Sequence, residues 1–466
     1  MGGLNHDTIA AISTPMGEGG IGIVRMSGPL SLSIADRLFQ SPCPDRPPSF
    51  PSHTLHYGFI IEPQRQERID EVLLAVMRAP HSYTREDVVE IHAHGGLVSL
   101  LRILELILQQ GVRPAAPGEF TKRAFLNGRI DLAQAEAVMD IVQAKSERGL
   151  KLALRHLDGS LSRRIGALRD RILSILAQVE ASIDFPEEDL GAWPQEEMGK
   201  EIEEMGSQLR RLILSFREGR IVREGVATAL VGRANVGKSS LFNSLLNRSR
   251  AIVTPHPGTT RDSLEEVIHL QGYPFLLIDT AGMRADDRGL DMAEKEGLER
   301  GRDWMGKADL LLVVMDGSEN LTEEDRILLG QVRGRRGLLV INKIDLEGKV
   351  KEQEIVAALP EMPRMRISAT DGTGLQELKD SMVKAMQIDG LDATQDLAIT
   401  HLHHQRALER AEVALGRAKE ALADGLSYEF VSLDLHESLD ALGEITGETT
   451  PEDLLNEIFS RFCIGK

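Results

Sequence analysis

Apolar residues recur along this chain in two rhythms. Ile165, Leu168, Ile172, Ile175 and Val179 stand three or four positions apart and make one stripe of an α-helix. The same rhythm returns after residue 400, at Leu408, Ala411, Leu415, Ala418 and Leu422. Between them, from about 224 to 384, short apolar runs (VATALVG, FLLIDT, LLLVVMDG, GLLVINK, MRISA) alternate with helical stretches. Runs of that kind read as strands of a doubly wound α/β domain. Two helical stripes on either side of such a domain predict one helical bundle interrupted by an insertion. Residues 1 to about 125 read as α+β. TIAAIST, IGIVRMS, VLLAVMRA and VVEIHAH predict strands, LVSLLRILELILQQG a helix ended by Gly111, and SPCPDRPPSFP a surface loop. The expected division is therefore 1–125, an α+β domain; 126–222, helical; 223–384, the inserted α/β domain; and 385–466, helical again.

Length and composition agree with several cores. At 466 residues the chain exceeds one core, and roughly two to four domains are expected. The segment MGGLNHDTIA has no basic stretch leading into an apolar one, so no secretory signal is expected, and His6 stands where myristoylation needs Ser or Thr. No apolar run approaches the ~20 residues that span a bilayer. The two cysteines, Cys43 and Cys463, suit a reducing compartment, so a cytoplasmic protein is expected. A net charge of −18 argues against a chain that grips nucleic acid alone, since phosphate neutralisation supplies most non-specific affinity. The basic clusters Arg163-Arg164 with Arg169 and Arg171, and Arg210-Arg211 with Arg217, Arg220 and Arg223, read as solvated helix faces.

The inserted domain carries the most specific chemistry. GRANVGKS, Gly232 to Ser239, follows a strand and opens a helix, as a phosphate-binding loop must. Its glycines let backbone N–H groups converge on phosphate oxygens, Lys238 supplies charge to the β and γ phosphates, and the Ser239 hydroxyl can ligate Mg2+. DTAG at 279–282 closes a strand, so Asp279 can hold Mg2+ through water and the Gly282 N–H can meet the γ-phosphate. NKID at 342–345 follows another strand, and Asp345 offers two acceptors to the N1–H and 2-amino donors of guanine, a pairing that adenine lacks. Ser368, Ala369 and Thr370 can present backbone N–H to guanine O6. Four motifs in this order predict a Ras-like GTP-hydrolysing domain. Two departures stand out. Met283 occupies the position where Ras-like switches carry the glutamine that orients water, and candidates to replace it lie among Asp286, Asp287, Asp291, Glu294 and Glu296. Asn235 within the phosphate loop, with Thr254, Thr259 and Thr260 downstream, can ligate a monovalent cation where an arginine finger would otherwise place charge; Thr260 would meet Mg2+ and the γ-phosphate.

GRANVGKSS, TPHPGTTRD, DTAG, NKID and the terminal FCIGK, with GEGGIGIVR and PGEFTKRAFLNGRIDLAQAEA, resemble the MnmE (TrmE) family of bacterial and organellar tRNA-modifying GTPases along essentially the whole chain. The resemblance implies a multidomain fold: an α+β tetrahydrofolate-binding and dimerisation domain, an all-α helical domain, and an inserted Ras-like α/β P-loop G domain. It implies a K+-activated GTPase that dimerises and works with a flavin-dependent partner, MnmG (GidA). Together they would attach an aminomethyl or carboxymethylaminomethyl group to C5 of the wobble uridine of tRNA, using a 5-formyl or methylene tetrahydrofolate. GTP contacts are then expected at Asn235, Val236, Gly237, Lys238, Ser239 and Ser240; at Thr254, Pro255, His256, Pro257, Gly258, Thr259 and Thr260; at Asp279, Thr280, Ala281 and Gly282; at Asn342, Lys343, Ile344 and Asp345; and at Ser368, Ala369 and Thr370. Asn235, Thr254, His256 and Thr259 would hold K+, and Ser239 and Thr260 would hold Mg2+. The family's water-orienting glutamate falls on Glu294, with Glu296 or Asp291 as alternatives.

The same resemblance points to Arg25, Glu90, Arg129 and Lys466 for the folate. Pterin shares guanine's N–H and 2-amino edge, so a carboxylate such as Glu90 can read it, and Arg25 or Arg129 can pair with glutamyl carboxylates. Gly17, Gly19 and Gly22 satisfy G-x-G-x-x-G, but β-branched residues follow in place of a helix, so a turn between strands is expected. Glu90, His92 and His94 alternate on one strand face without a further metal ligand in view, and HLHH at 401–404 reads as a helix start. At the end, Cys463 invites a prenylation reading that Lys466 and Gly465 argue against. In the family the C-x-G-K end tucks towards the folate domain. Cys463 is then either a catalytic thiolate beside the one-carbon carrier or a structural thiol. A ribosome-assembly GTPase would call for a basic appendage, and a folate transferase with a relic G domain would not need intact guanine motifs.

Overall fold

The computed structural model describes residues 7–42, 50–185, 194–247, 265–279, 304–350, 352–386 and 398–466. In chain order the first elements are β1 (Ile9–Ile12), β2 (Gly19–Ser27), α1 (Ser31–Leu38), β3 (Phe39–Gln40), β4 (Thr54–Glu62), β5 (Glu67–Met77), β6 (Val88–Gly95), α2 (Leu97–Leu108), β7 (Arg113–Pro114) and α3 (Glu119–Leu126). Helices α4 (Leu132–Gln143), α5 (Glu147–Leu157), α6 (Ser160–Asp184) and α7 (Gln195–Glu224) follow. Next come β8 (Val226–Val231), α8 (Lys238–Asn247), β9 (Glu265–Leu270), β10 (Tyr273–Asp279), β11 (Leu310–Asp316), α9 (Glu323–Gln331), β12 (Gly337–Asn342), α10 (Glu352–Ala358), β13 (Arg364–Arg366) and α11 (Leu375–Ala385). The chain closes with α12 (Leu402–Ala423), α13 (Tyr428–Thr446) and α14 (Glu452–Ser460). They gather into two compact units.

The first unit joins Met1–Met139, His156–Ser207 and Ala407–Lys466. Its sheet runs β3-β4-β5-β6-β2-β1-β7. Alternation along the strands sorts the two faces. Val24, Met26, Val89 and Ile91 pack against Ile34 and Leu38 of α1 and Ile103 and Leu106 of α2, while Arg25 and Glu90, paired in register between them, point the other way. On that other face Phe120 of α3 packs with Ile9 and Ala11. β4 has no counterpart among the strands expected from the sequence; its register with β5 makes it a regular antiparallel partner. The predicted stripe of α6 is buried in full, and α6 packs against α13. HLHH opens α12, whose five predicted stripe residues are also buried.

The second unit joins Asp140–Arg155 and Gln208–Arg406. Its sheet runs β13-β12-β11-β8-β10-β9, parallel apart from the β9–β10 pair. Both faces are covered, which is why these strands read as unbroken apolar runs. Leu230, Leu312 and Val340 meet Leu241 and Leu245 of α8 and Leu378 and Met382 of α11. Val231, Val313 and Ile341 meet Leu328 of α9 and Ile355 of α10 on the opposite side. The loops that carry the chemistry leave the carboxyl ends of β8, β10, β11 and β12, where open α/β sheets bind ligands. No helix among the described residues is long and apolar enough to cross a membrane.

Candidate functional site

The loop between β8 and α8 is shaped by its own backbone. Gly237 sits at φ 96°, where a Cβ would lie 2.3 Å from the Asn342 amide nitrogen, so only glycine fits. Asn235 takes φ 64° and leaves its amide exposed. Lys238 is 6% exposed, and its ammonium donates to the carbonyls of Gly232 at 2.8 Å and Arg233 at 2.9 Å. Burial pushes that ammonium below the usual lysine range, with Asp279 only partly opposing it. An incoming phosphate would restore the charge balance. Ser239 donates its hydroxyl to Asp279 Oδ2 at 3.0 Å, while Asp279 Oδ1 is buried with no partner among the described residues. An unsatisfied buried carboxylate oxygen beside a hydroxyl at the mouth of a phosphate loop is a donor set that fits Mg2+ and its waters.

Asn342 ties the loop after β8 to the loop after β13. Only 2% exposed, it donates through Nδ2 to Val236 O at 2.9 Å and accepts from Ala369 N–H at 3.0 Å. Ser244 of α8 donates to Ala369 O at 2.6 Å. Lys343, Ile344 and Asp345 follow Asn342 directly, with Asp345 exposed, and Thr370 is exposed at the neighbouring loop. The structure thus gathers Asn235 to Ser240, Asp279, Asn342 to Asp345 and Ser368 to Thr370 at one edge of one sheet. Thr254 to Thr260, Thr280, Ala281, Gly282, Met283 and Glu294 lie outside the described residues, as does Cys43.

A second constellation lies in the first unit. Arg25 donates through Nε to Glu90 Oε1 at 2.8 Å and through a terminal nitrogen to Gly465 O at 3.1 Å, linking the sheet to the chain end. Burial raises the Glu90 carboxyl, but Arg25 and the hydrogen bond from His92 at 3.2 Å outweigh it, so the group lies below the usual glutamate range. The Arg129 guanidinium lies over the Tyr83 ring at 4.8 Å, and the Tyr83 hydroxyl meets Thr121 Oγ1 at 2.9 Å. His94 is turned away to Asp70 at 2.6 Å, so Glu90, His92 and His94 do not converge as metal ligands.

The chain end caps a helix. The first N–H groups of α3 have no intrahelical acceptor; Gly118 N–H donates to Cys463 O at 3.4 Å and Phe120 N–H to Lys466 O at 3.2 Å. Phe459 and Phe462 anchor this end in a cluster with Ala124 and Leu132. The Cys463 thiol is free and exposed. Arg25, Glu90, Arg129 and the last residues therefore surround one face of β2 and α3. Sequence reasoning missed Tyr83, which stacks under Arg129, and Asp316, which pairs with Lys343 at 2.6 Å. The position of Asp316, directly after the apolar run LLLVVM, was the available signal.

Known proteins match the chain along its length. Residues 132–463 match the family described as MnmE helical domain, and residues 8–129 match GTP-binding protein TrmE N-terminus. The chain is 46% identical over 460 residues to the tRNA modification GTPase MnmE of Alkaliphilus metalliredigens, covering 99% of each. It is 47% identical over 465 residues to the tRNA modification GTPase MnmE of Carboxydothermus hydrogenoformans, covering 99% of this chain and 100% of that one. Among solved structures, Era of Aquifex aeolicus is 27% identical over 41% of this chain and 66% of its own, with a TM-score of 0.30.

Proposed function

Since the chain belongs to the MnmE family of tRNA modification GTPases, and is a GTP hydrolase of tRNA modification, we propose that its hydrolysis is K+-activated and serves a one-carbon transfer to the wobble uridine. In this reading the division 1–125, 126–222, 223–384 and 385–466 separates folate binding, helical scaffold and G domain. Lys238 and the loop N–H groups hold the phosphates, Asp345 reads guanine, and Ser239 with Thr260 holds Mg2+, which neutralises charge on the β and γ oxygens when bound. Asn235, Thr254, His256 and Thr259 hold K+, which places a positive charge where no arginine finger stands. Glu294 orients the attacking water that Met283 cannot.

The observation that carries the nucleotide half is the pairing of Ser239 with Asp279 at the mouth of the loop that buries the Lys238 ammonium, with Asp279 Oδ1 buried and unpartnered among the described residues. For the other half, Glu90 and Arg25 face the chain end, so Glu90 would read a pterin edge, Arg25 or Arg129 would pair with a folate's glutamyl carboxylates, Lys466 would be a further folate contact at the chain end, and Cys463 would act on the one-carbon unit as a thiolate. A homodimer, the MnmG flavoprotein and tRNA held largely by that partner complete the reading, in keeping with a net charge of −18. The test combines the protein with MnmG, a 5-formyl or methylene tetrahydrofolate, glycine or ammonium as the nitrogen donor, GTP and unmodified tRNA in K+ or Na+ buffer. Modified wobble uridine with GTP turnover several-fold faster in K+ is expected. Turnover indifferent to the cation would refute the K+ assignment, and absence of the modified nucleoside would refute the transfer.

A further inference from the structure

Asp316 ends β11 directly opposite Asn342 at the end of the parallel strand β12. Beyond the strand ends the two loops stay tied, because Gly317 N–H donates to Asn342 O at 2.8 Å. Lys343 then turns through φ 65°, a left-handed conformation that L side chains enter at a cost and that persists only where surroundings hold it. Its ammonium meets Asp316 Oδ2 at 2.6 Å. Asp316 Oδ1 accepts from the Ser318 N–H at 2.9 Å and its hydroxyl at 2.6 Å. With its side chain 3% exposed, Asp316 is a saturated and fixed anchor. Burial raises its carboxyl, and Lys343 and Ser318 bring it below the usual aspartate range, so it stays ionised at neutral pH.

What the anchor holds is the start of a turn. Leu346 N–H donates back to Lys343 O at 3.1 Å, so residues 343–346 form one turn with Asp345 at its third position. The second position is pinned as well, Ile344 N–H donating to Ile367 O at 3.3 Å. The direction in which Asp345 offers its carboxylate therefore depends on the left-handed Lys343, and Lys343 depends on Asp316. We infer that Asp316 is a positioning residue for base recognition: by holding Lys343 in its turn, it aims the Asp345 carboxylate at the N1–H and 2-amino edge of guanine. The inference rests on the guanine-nucleotide reading of this loop and adds a residue outside its motifs. Asp316 itself acts only through Lys343 and touches no part of the nucleotide.

The test uses the full chain with GDP and inosine diphosphate, whose base lacks the 2-amino group. The unaltered protein binds GDP more tightly, because a site built to pair with a donor rejects the analogue without it. In Asp316→Asn, GDP affinity falls on the order of tenfold, as for loss of a charged hydrogen bond. Inosine diphosphate, with only one donor to lose, falls less, so the preference narrows, and KM for GTP rises more than kcat falls. Asp316→Glu recovers part of the preference. Should Asp316→Asn fail to fold, Ser318→Ala, which removes one donor to Asp316 Oδ1, gives the same reading with a smaller shift. A preference unchanged in the variant, whether both affinities fall together or neither falls, overturns the inference. Failure of the unaltered protein to bind either nucleotide overturns the guanine reading and this inference with it.

Discussion

Replacing Gly465 by alanine tests whether the chain end belongs to the Arg25–Glu90 site. Gly465 takes φ 93°, and a Cβ there would lie 2.5 Å from Ile12 O and 2.7 Å from Ser13 Cα, both backbone atoms of the first unit. A methyl group cannot be seated without moving the tail. The left-handed backbone alone costs an L residue about 1–2 kcal/mol, and the hydrogen bond from Arg25 to Gly465 O, made by a charged donor, contributes about 1.5–3 kcal/mol. Losing both removes roughly 2.5–5 kcal/mol from docking of the end, and at about 1.4 kcal/mol per decade the docked fraction falls by about two to three and a half orders of magnitude relative to the undocked one. The reporters are the Gly118 and Phe120 amides, whose acceptors are Cys463 O and Lys466 O. Hydrogen exchange at both should accelerate, and tRNA modification should fall with it, with GTP turnover as the control. If both amides keep their protection, or modification persists once the end is released, the reasoning is wrong.

Three further outcomes are expected. Asn342→Ala strips Val236 O and Ala369 N–H of their buried partner, about 1–3 kcal/mol each; the denaturant midpoint of the second unit should drop and GDP binding weaken, and an unchanged midpoint would count against the bridge. Cys463→Ser should abolish modification while GTP hydrolysis continues, and full modification would show that the thiol has no chemical role. The folded-state pKa of Glu90 lies below its unfolded value, so its contribution is present above the unfolded value near 4.3 and is lost as pH falls through the lower folded one. Glu90→Gln should accordingly flatten the loss of thermal stability on acidification below about pH 4.3, and parallel curves for the two proteins would contradict the assigned Arg25 pairing.

Features that depend on short-range pattern are legible in the chain itself. The stripe from Ile165 to Val179, the strands of the second unit and the succession of phosphate-loop, DTAG, NKID and SAT segments depend on neighbours three, four or a few positions away, and the family follows from those residues. β4 and β9 escaped because TLHYGFIIE and EEVIHL mix polar and apolar positions, and their pairing is set by distant strands. The nucleotide loops were legible because glycine, lysine and aspartate meet there by local turn geometry. The second site was reached only through the family resemblance, since it joins β2, β6, α3 and the last residues, and no spacing relates Arg25 to Gly465.

Sequence alone therefore determined the helical stripes, the parallel strands of the second unit, the membership of the MnmE family and the residue kinds available to phosphate and guanine, because backbone propensity and motif spacing are local properties. The tertiary structure decided that Asn342 bridges the two nucleotide loops, that Asp316 holds Lys343, and that the carbonyls of Cys463 and Lys466 cap α3 while the Cys463 thiol stays exposed. Those pairings satisfy buried donors and acceptors far apart along the chain, and only the folded packing brings them within hydrogen-bonding distance.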